Sequence, residues 1–194
     1  MSYPKDDGPS DEILYKLCDL GVRSFGSGMT HDEVREHILD ADTLFVAYER
    51  DKPVGFAGIV EQTDTSFYFS AAVVDPEKRK SGLYKELTRL RLDMAISEGG
   101  KDINTRTQNP IVEKTIQDIL EDMIAVGKIN GYSVSHSYKP AVFGRLLTND
   151  IPKSGNQRLD EAYSTLDYTR GDAFLINFSL SLPVGRRYTG GCLW

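Results

Sequence analysis

The 194-residue chain predicts an α+β, or mixed α/β, fold, and three observations carry that expectation. Three apolar runs, "TLFVAY" at 43–48, "VGFAGIV" at 54–60 and "FYFSAAVV" at 67–74, are separated by the turn-like stretches "ERDKP" and "EQTDTS". Runs of β-branched and aromatic residues so spaced read as an antiparallel meander. Two later segments switch to helical periodicity, first Leu83, Leu87, Leu90 and Met94, then Val112, Ile116, Ile119, Met123 and Val126. Near the end, "AFLINFSLSL" at 173–182 alternates Phe174, Ile176, Phe178, Leu180 and Leu182 on one side of a strand. Helices and strands in this order, with no linker or repeat, imply one domain over 1–194.

Taken in order, Ser10-Asp11-Glu12 caps a first helix, "ILYKLCDLG", that is expected to end near Gly21. Thr30 and Glu33 have capping-box spacing and open a short helix with Val34, Ile38 and Ala41 on one side. After the meander, Gly99-Gly100 stops the first long helix. "DINTRT" at 102–107 reads as a short polar strand. Asn109-Pro110 starts the second long helix, with a capping side chain followed by a proline whose missing N–H does no harm in a first turn. "YSVSHSY" at 132–138 alternates as a half-buried strand does, and "QRLDEAYSTL" is compatible with a helix. Residues 150–194 form an extension that completes the sheet, shapes a substrate site or makes an interface such as a homodimer contact.

Composition narrows the function. With 40% apolar and 27% charged residues the chain is globular, and no apolar run approaches the roughly 18 residues a membrane helix needs. "MSYPKDDGPS" lacks the basic end and apolar core of a signal peptide, so a cytoplasmic protein is expected. Cys18 and Cys192 make neither a disulfide framework nor a zinc cluster, and no metal is expected. The net charge of -6 is uneven: residues 1–51 hold 5 Lys/Arg against 12 Asp/Glu, whereas Glu77 to Arg91 carries 6 basic residues against 2 acidic ones. A broad nucleic-acid face is disfavoured by this balance. A bound anion of limited size fits the basic cluster, and a cationic substrate fits the acidic part.

That cluster lies in "VVDPEKRKSGLYKEL", residues 73–87, where a strand hands over to a helix. Such a turn aims backbone N–H groups and the positive end of the helix dipole at one point, where phosphates sit well. Gly82 lets a ligand approach without a Cβ in the way, Arg79 and Lys80 add charge, and the Ser81 hydroxyl adds a donor. So many donors suit a pyrophosphate better than a single phosphate; the plainer reading is a solvated basic surface. Neither GxxxxGK[ST] nor a dinucleotide fingerprint around Gly26-Ser27-Gly28 is present.

Three strands, this turn and an amphipathic helix together resemble the GNAT family of acyl-CoA-dependent N-acyltransferases. The family's signature, V-x-P-x-x-[RQ]-x-x-G-x-[GA], is matched by Val74, Pro76, Arg79 and Gly82, while Tyr84 departs at the last small position. Similarity continues through "TRTQNPIVEKTI", with Asn109 at the family's Asn, to Gly131-Tyr132, and so covers about residues 30–140. The resemblance implies a central, mostly antiparallel twisted sheet flanked by helices. It also implies transfer of an acyl group, usually acetyl from acetyl-CoA, to a primary amine by direct attack in a ternary complex. The main chain at Val73 and Val74 would then pair with the pantetheine arm. The N–H groups of Arg79, Lys80, Ser81, Gly82, Leu83 and Tyr84 would cradle the pyrophosphate, with Asn109 near the pantetheine or thioester end and Tyr84 narrowing the cradle.

Such chemistry needs an acceptor for the amine's proton and a donor for the leaving thiolate. The tyrosine that many family members carry on the helix after the Asn is missing from "NPIVEKTIQDILEDM", and the strand position of a glutamate base holds Tyr68. Tyr68, His136 and Tyr138 are the catalytic candidates, with Tyr132 nearby. Each has a structural alternative: Tyr68 as packing, His136 as a half-exposed strand residue, Tyr138 as the side of a turn. His31 and His37 read as surface residues, and Glu61 and Asp75 as solvated carboxylates at strand ends. A small-molecule or peptide amine is the expected acceptor: a polyamine, an aminoglycoside-like amine, or a lysine or N-terminal amine of a protein. A catalytically weak or inactive acyl-CoA-binding or regulatory protein on the same scaffold is the alternative. A nucleic-acid-modifying enzyme using Lys78 to Lys80 and Arg186-Arg187 fits the overall acidity poorly.

Overall fold

The computed structural model describes residues 1–25, 28–143 and 151–183. Its strands are β1 (Ser2–Pro4), β2 (Thr43–Glu49), β3 (Lys52–Thr63), β4 (Ser66–Val74), β5 (Asp102–Thr107), β6 (Gly131–Lys139) and β7 (Ala173–Ser181). The helices are α1 (Asp11–Phe25), α2 (His31–Leu39), α3 (Leu83–Ser97), α4 (Pro110–Ala125) and α5 (Gln157–Tyr163). One sheet runs in the order β1-β2-β3-β4-β5-β7-β6. Every neighbouring pair is antiparallel except β4 and β5, which are parallel. This is the mixed α+β, mostly antiparallel sheet that the sequence predicts. Gly26, Ser27, Arg186, Arg187 and Cys192, weighed above, lie outside the described residues.

Helix boundaries depart from expectation where packing overrides a local signal. α1 continues through Gly21 to Phe25 because that glycine faces α2: a Cβ there would lie 2.6 Å from Val34 Cγ1. Glycine at this point permits close helix approach and does not end the helix. α2 begins at the predicted box, with the Glu33 amide donating to Thr30 Oγ1 at 3.2 Å and the Thr30 amide to Glu33 Oε2 at 2.7 Å. In α3 the inward face is rotated from the leucine spacing. Leu87, Thr88, Arg91, Leu92, Ala95 and Ile96 are buried, while Leu90 is 47% exposed. In α4 the Ile111 amide donates to Asn109 Oδ1 at 2.9 Å, as the Asn-Pro start predicts.

Two apolar layers hold the sheet. On one face α1 and α2 pack Leu14, Leu17, Val34 and Ile38 against Leu44, Val46, Phe56 and Val73. On the other, α3, α4 and α5 pack Leu92, Ile116, Ile119 and Tyr163 against Phe67, Phe69, Ile103, Ile176 and Phe178. Opposite that second layer, β5, β7 and β6 turn Arg106, Ser133, Ser135, Ser137 and Ser179 to solvent. Successive strand residues alternate between faces, so a polar sheet surface lies beside the end of β4. Among the described residues no helix is long and apolar enough to cross a membrane.

Candidate active site

The parallel pair β4–β5 is bonded only from Ser66↔Asp102 to Phe69↔Thr105, although β4 runs on to Val74 and β5 to Thr107. At the same level β4 slips against β3: Phe69 faces Ile59 and Ala72 faces Ala57, leaving Ser70 and Ala71 opposite Gly58. A bulge of this kind bends its strand. Beyond it the two strands part. Val73 and Val74 pair with Phe56 and Gly55 on β3 and have no β5 residue on the other side. An open backbone edge results, to which an extended ligand can add as a strand.

β4 leads into the basic turn. Asp75, expected as a solvated carboxylate, is instead buried, accepting from Arg23 Nη2 at 2.6 Å and the Glu77 amide at 3.1 Å, with Lys52 Nζ at 3.8 Å. Burial pushes its carboxyl up, but the Glu77 N–H and the two cations outweigh this and hold it below the usual carboxylate range. Arg79 is equally committed: its guanidinium donates to the Ser24 carbonyl at 2.7 Å and its amide to the Pro76 carbonyl at 3.4 Å. It ties the turn to the end of α1 and does not stand as free charge over the cradle. The amides of Ser81 and Leu83 are also used, by the Lys78 carbonyl at 3.3 Å and the Ser81 hydroxyl at 3.4 Å.

Lys80 (φ 67°) and Gly82 (φ 89°) are left-handed, and the amides of Lys80, Gly82, Tyr84 and Lys85 have no acceptor among the described residues. A Cβ built at Gly82 meets nothing within 4 Å. Four unused donors at the N-terminus of a 15-residue helix, next to an exposed Lys80 and an open glycine, fit a diphosphate. A shallow basin of roughly 800 Å³ lies between α1 and the β2–β3 hairpin, but Asp19, Glu49 and Asp51 share it with Lys16, Arg23 and Arg50, so it has no converging donors of one sign.

The catalytic candidates fall in different places. Tyr68 is half-buried on β4 one residue before the strands part, facing away from the α3–α4 layer; burial raises its phenol, with Arg106 opposing. Phe69, Thr105, Ile176 and His136 form one row across β4, β5, β7 and β6, which puts His136 two strands, about 10 Å, beyond β5. His136 Nε2 lies 2.9 Å from Glu113 Oε2, and the Tyr163 hydroxyl donates to the same oxygen at 3.0 Å. Gln117 completes the set at 3.0 Å from Glu113 Oε1, and burial, then Glu113, push the Tyr163 phenol up. Tyr138 is tied by its hydroxyl to buried Asp172 and to Arg170. Tyr132 donates to Glu121 at 2.9 Å.

Asn109 caps α4 with its side-chain oxygen, beyond the end of β5. Three groups near the parting strands escaped the sequence reading: the Ser70 hydroxyl, Gln108 Nε2 and Arg91 Nε are all buried without a partner among the described residues. For Arg91 a signal existed, since it falls at i+4 from Leu87 on the inward stripe of α3. Among the described residues no group of three or more His, Cys, Asp or Glu is placed to hold a metal ion.

The sheet's one parallel pair thus parts beside a helix start with amides unused among the described residues. Residues 13–113 match the acetyltransferase (GNAT) domain, more than half of the chain, and the chain belongs to that family. Among curated proteins none matches it in sequence. Solved structures share the fold. The ribosomal-protein-S18-alanine N-acetyltransferase from Escherichia coli superposes with a TM-score of 0.61 at 13% identity, covering 100% of this chain and 99% of its own. An aminoglycoside 6'-acetyltransferase type Ii gives 0.57 at 16%, covering 94% and 97%. An aminoglycoside 6'-N-acetyltransferase complexed with coenzyme A gives 0.52 at 17%, covering 90% and 93%.

Proposed function

We propose that this protein transfers an acetyl group from acetyl-CoA to a primary amine by direct attack within a ternary complex. The parted β4–β5 pair, running straight into four unused amides, is the observation that carries the reading. Acetyl-CoA supplies an acyl thioester already activated for attack. The main chain at Val73 and Val74 holds its pantetheine arm. The amides of Lys80, Gly82, Tyr84 and Lys85 hold the diphosphate, with Arg79, Ser81 and Leu83 shaping the turn and Asn109 closing the far side.

The amine approaches over the polar surface of β5, β7 and β6, where Arg106 and the serines leave room, and the acidic α1–α2 region draws a cation there. Its proton leaves to water on that open surface. Tyr68 is the nearest of the three candidates, whereas His136 sits two strands away and the Tyr138 hydroxyl is already engaged.

Thermal unfolding with acetyl-CoA tests the binding half. At a hundred times Kd a ligand adds about 2.7 kcal/mol, which for a chain of this size raises Tm by about 5–10 °C. Thiol release with spermidine, kanamycin, a peptide with an N-terminal alanine and a lysine peptide tests transfer. No shift and no release would remove the proposal. A shift without release with any amine would favour the inactive acyl-CoA-binding alternative.

A further inference from the structure

Arg106 is exposed near the end of β5, and its side chain forms no ion pair or hydrogen bond among the described residues. What holds it is a ring: its Cζ lies 5.1 Å from the centre of Phe143. The segment carrying Phe143 is fastened at several points. The Val142 and Phe143 amides donate to the Gly171 carbonyl at 3.0 and 3.1 Å. The Ala141 amide donates at 3.1 Å to Asp172, which is fully buried and also accepts from the Asp167 amide at 3.2 Å. Gly171 is left-handed (φ 81°), and a Cβ on it would lie 2.1 Å from the Phe143 carbonyl oxygen, so only glycine lets the two segments close this far. The ring occupies the face of the guanidinium and leaves its in-plane N–H donors free.

Strand register puts this arginine at the opening. Thr105 and Phe69 make the last β4–β5 pair, and Arg106 follows on the opposite face of β5, away from the α3–α4 layer. Tyr68 stands across from Asn104 on that same face, so the place beside Arg106 is the one that β4 vacates. An acyl-CoA whose arm runs along Val74 and Val73 brings its thioester toward the bulge at Ala71 and Ser70, the level of Arg106. On the sheet surface its neighbours Asn104, Leu175 and Asn177 are uncharged and leave the cation unanswered. Two residues on, past the end of β5, Gln108 Nε2 is buried without a partner among the described residues, a second unused donor.

We propose that Arg106 selects the acceptor, and that the amine acetylated by this protein carries a carboxylate close to its nitrogen, as a free amino acid does. The inference rests on the acetyltransferase reading and names the substrate class of that site. The carboxylate takes two in-plane donors of Arg106 as a two-pronged pair, a geometry that a planar guanidinium favours. Anchored there, the neighbouring nitrogen faces the thioester carbon where the strands part. The acidic first quarter of the chain still attracts the ammonium end of such a zwitterion. A polyamine would bring only like charge against a guanidinium that no carboxylate neutralises among the described residues.

Thiol release from acetyl-CoA with each common amino acid, and with its carboxamide, reads the preference directly. The best amino acid should show a KM at least about tenfold below that of its amide, the worth of one charge-assisted pair. Arg106→Ala should raise KM for the acid to that for the amide, and Arg106→Glu should reverse the order. Arg106→Lys should keep part of the preference, because it supplies charge without the planar fork. Phe143→Leu should weaken the preference by freeing the guanidinium from its ring. Calorimetric titration with coenzyme A reports that each variant is folded. A wild type that takes amides or spermidine as readily as amino acids, or an Arg106→Ala variant that keeps the preference, overturns the proposal and leaves the acetyltransferase reading standing. No release with any amine, acid or amide, removes both.

Discussion

Replacing Gly82 by alanine separates backbone strain from ligand exclusion. At φ 89° an L-residue pays about 1–2 kcal/mol, and a stiffer unfolded chain returns about 0.4–1 kcal/mol. No protein atom lies within 4 Å of the new Cβ, so no clash is added. The net loss is about 1 kcal/mol, and the unliganded protein should melt about 2–4 °C lower. Binding should suffer more. The methyl group would enter the space bounded by the unused amides of Lys80, Gly82, Tyr84 and Lys85, and CoA affinity should drop at least about tenfold. Calorimetric titration of CoA alongside thermal unfolding reads both effects in one preparation. An unchanged Kd with the expected small fall in Tm would refute the diphosphate site. A fall of ~10 °C would refute the claim that the space around Gly82 is open.

Asp75→Asn should lower Tm near neutral pH and flatten the acid side of the stability profile. A carboxyl held below its usual range contributes fully above its unfolded value, and the contribution drains away as pH falls through the folded one. Melting curves of both proteins between pH 7 and pH 2.5 should therefore converge at the acid end. Gly21→Ala should cost about 1–2 kcal/mol, because overpacking against Val34 outweighs the helix propensity gained. Adding Val34→Ala should make the two changes non-additive, which a denaturant double-mutant cycle measures. Tyr138→Phe should lower Tm by unsettling Asp172 and Arg170 while leaving kcat within about twofold; a far larger loss of kcat would return Tyr138 to the catalytic site.

How much of this was legible depends on whether the decisive contact was local. The β2–β4 meander, the Thr30 box and the Asn109 cap are set by neighbours in sequence, and the chain spells them out. Gly82 marks the open point of the turn in sequence, while its left-handed φ of 89° shows only in the structure. Arg79 did not announce its bond to Ser24, 55 residues earlier, because that depends on where α1 ends. Leucine spacing misplaced the inward face of α3 since a buried arginine on it runs against the usual exposure of charge. Glu113 carries no local signal; only the arrival of β6 and α5 over α4 gives it His136 and Tyr163. The β4 bulge is a property of pairing and has no residue of its own. β1, three residues long, offers too short a pattern to be seen.

The insertion of β7 between β5 and β6 makes the far end of the chain a structural wall of the cleft. Past Thr105, β5 has lost β4, and among the described strands it pairs with β7 alone, Arg106 opposite Leu175 and Thr107 opposite Phe174. β6, in turn, has no other strand neighbour among the described residues, so it must wait for some forty further residues to be synthesised before it can join the sheet. A nascent chain stopped before Ala173 would hold the basic turn and both long helices yet leave one jaw of the cleft unbuttressed.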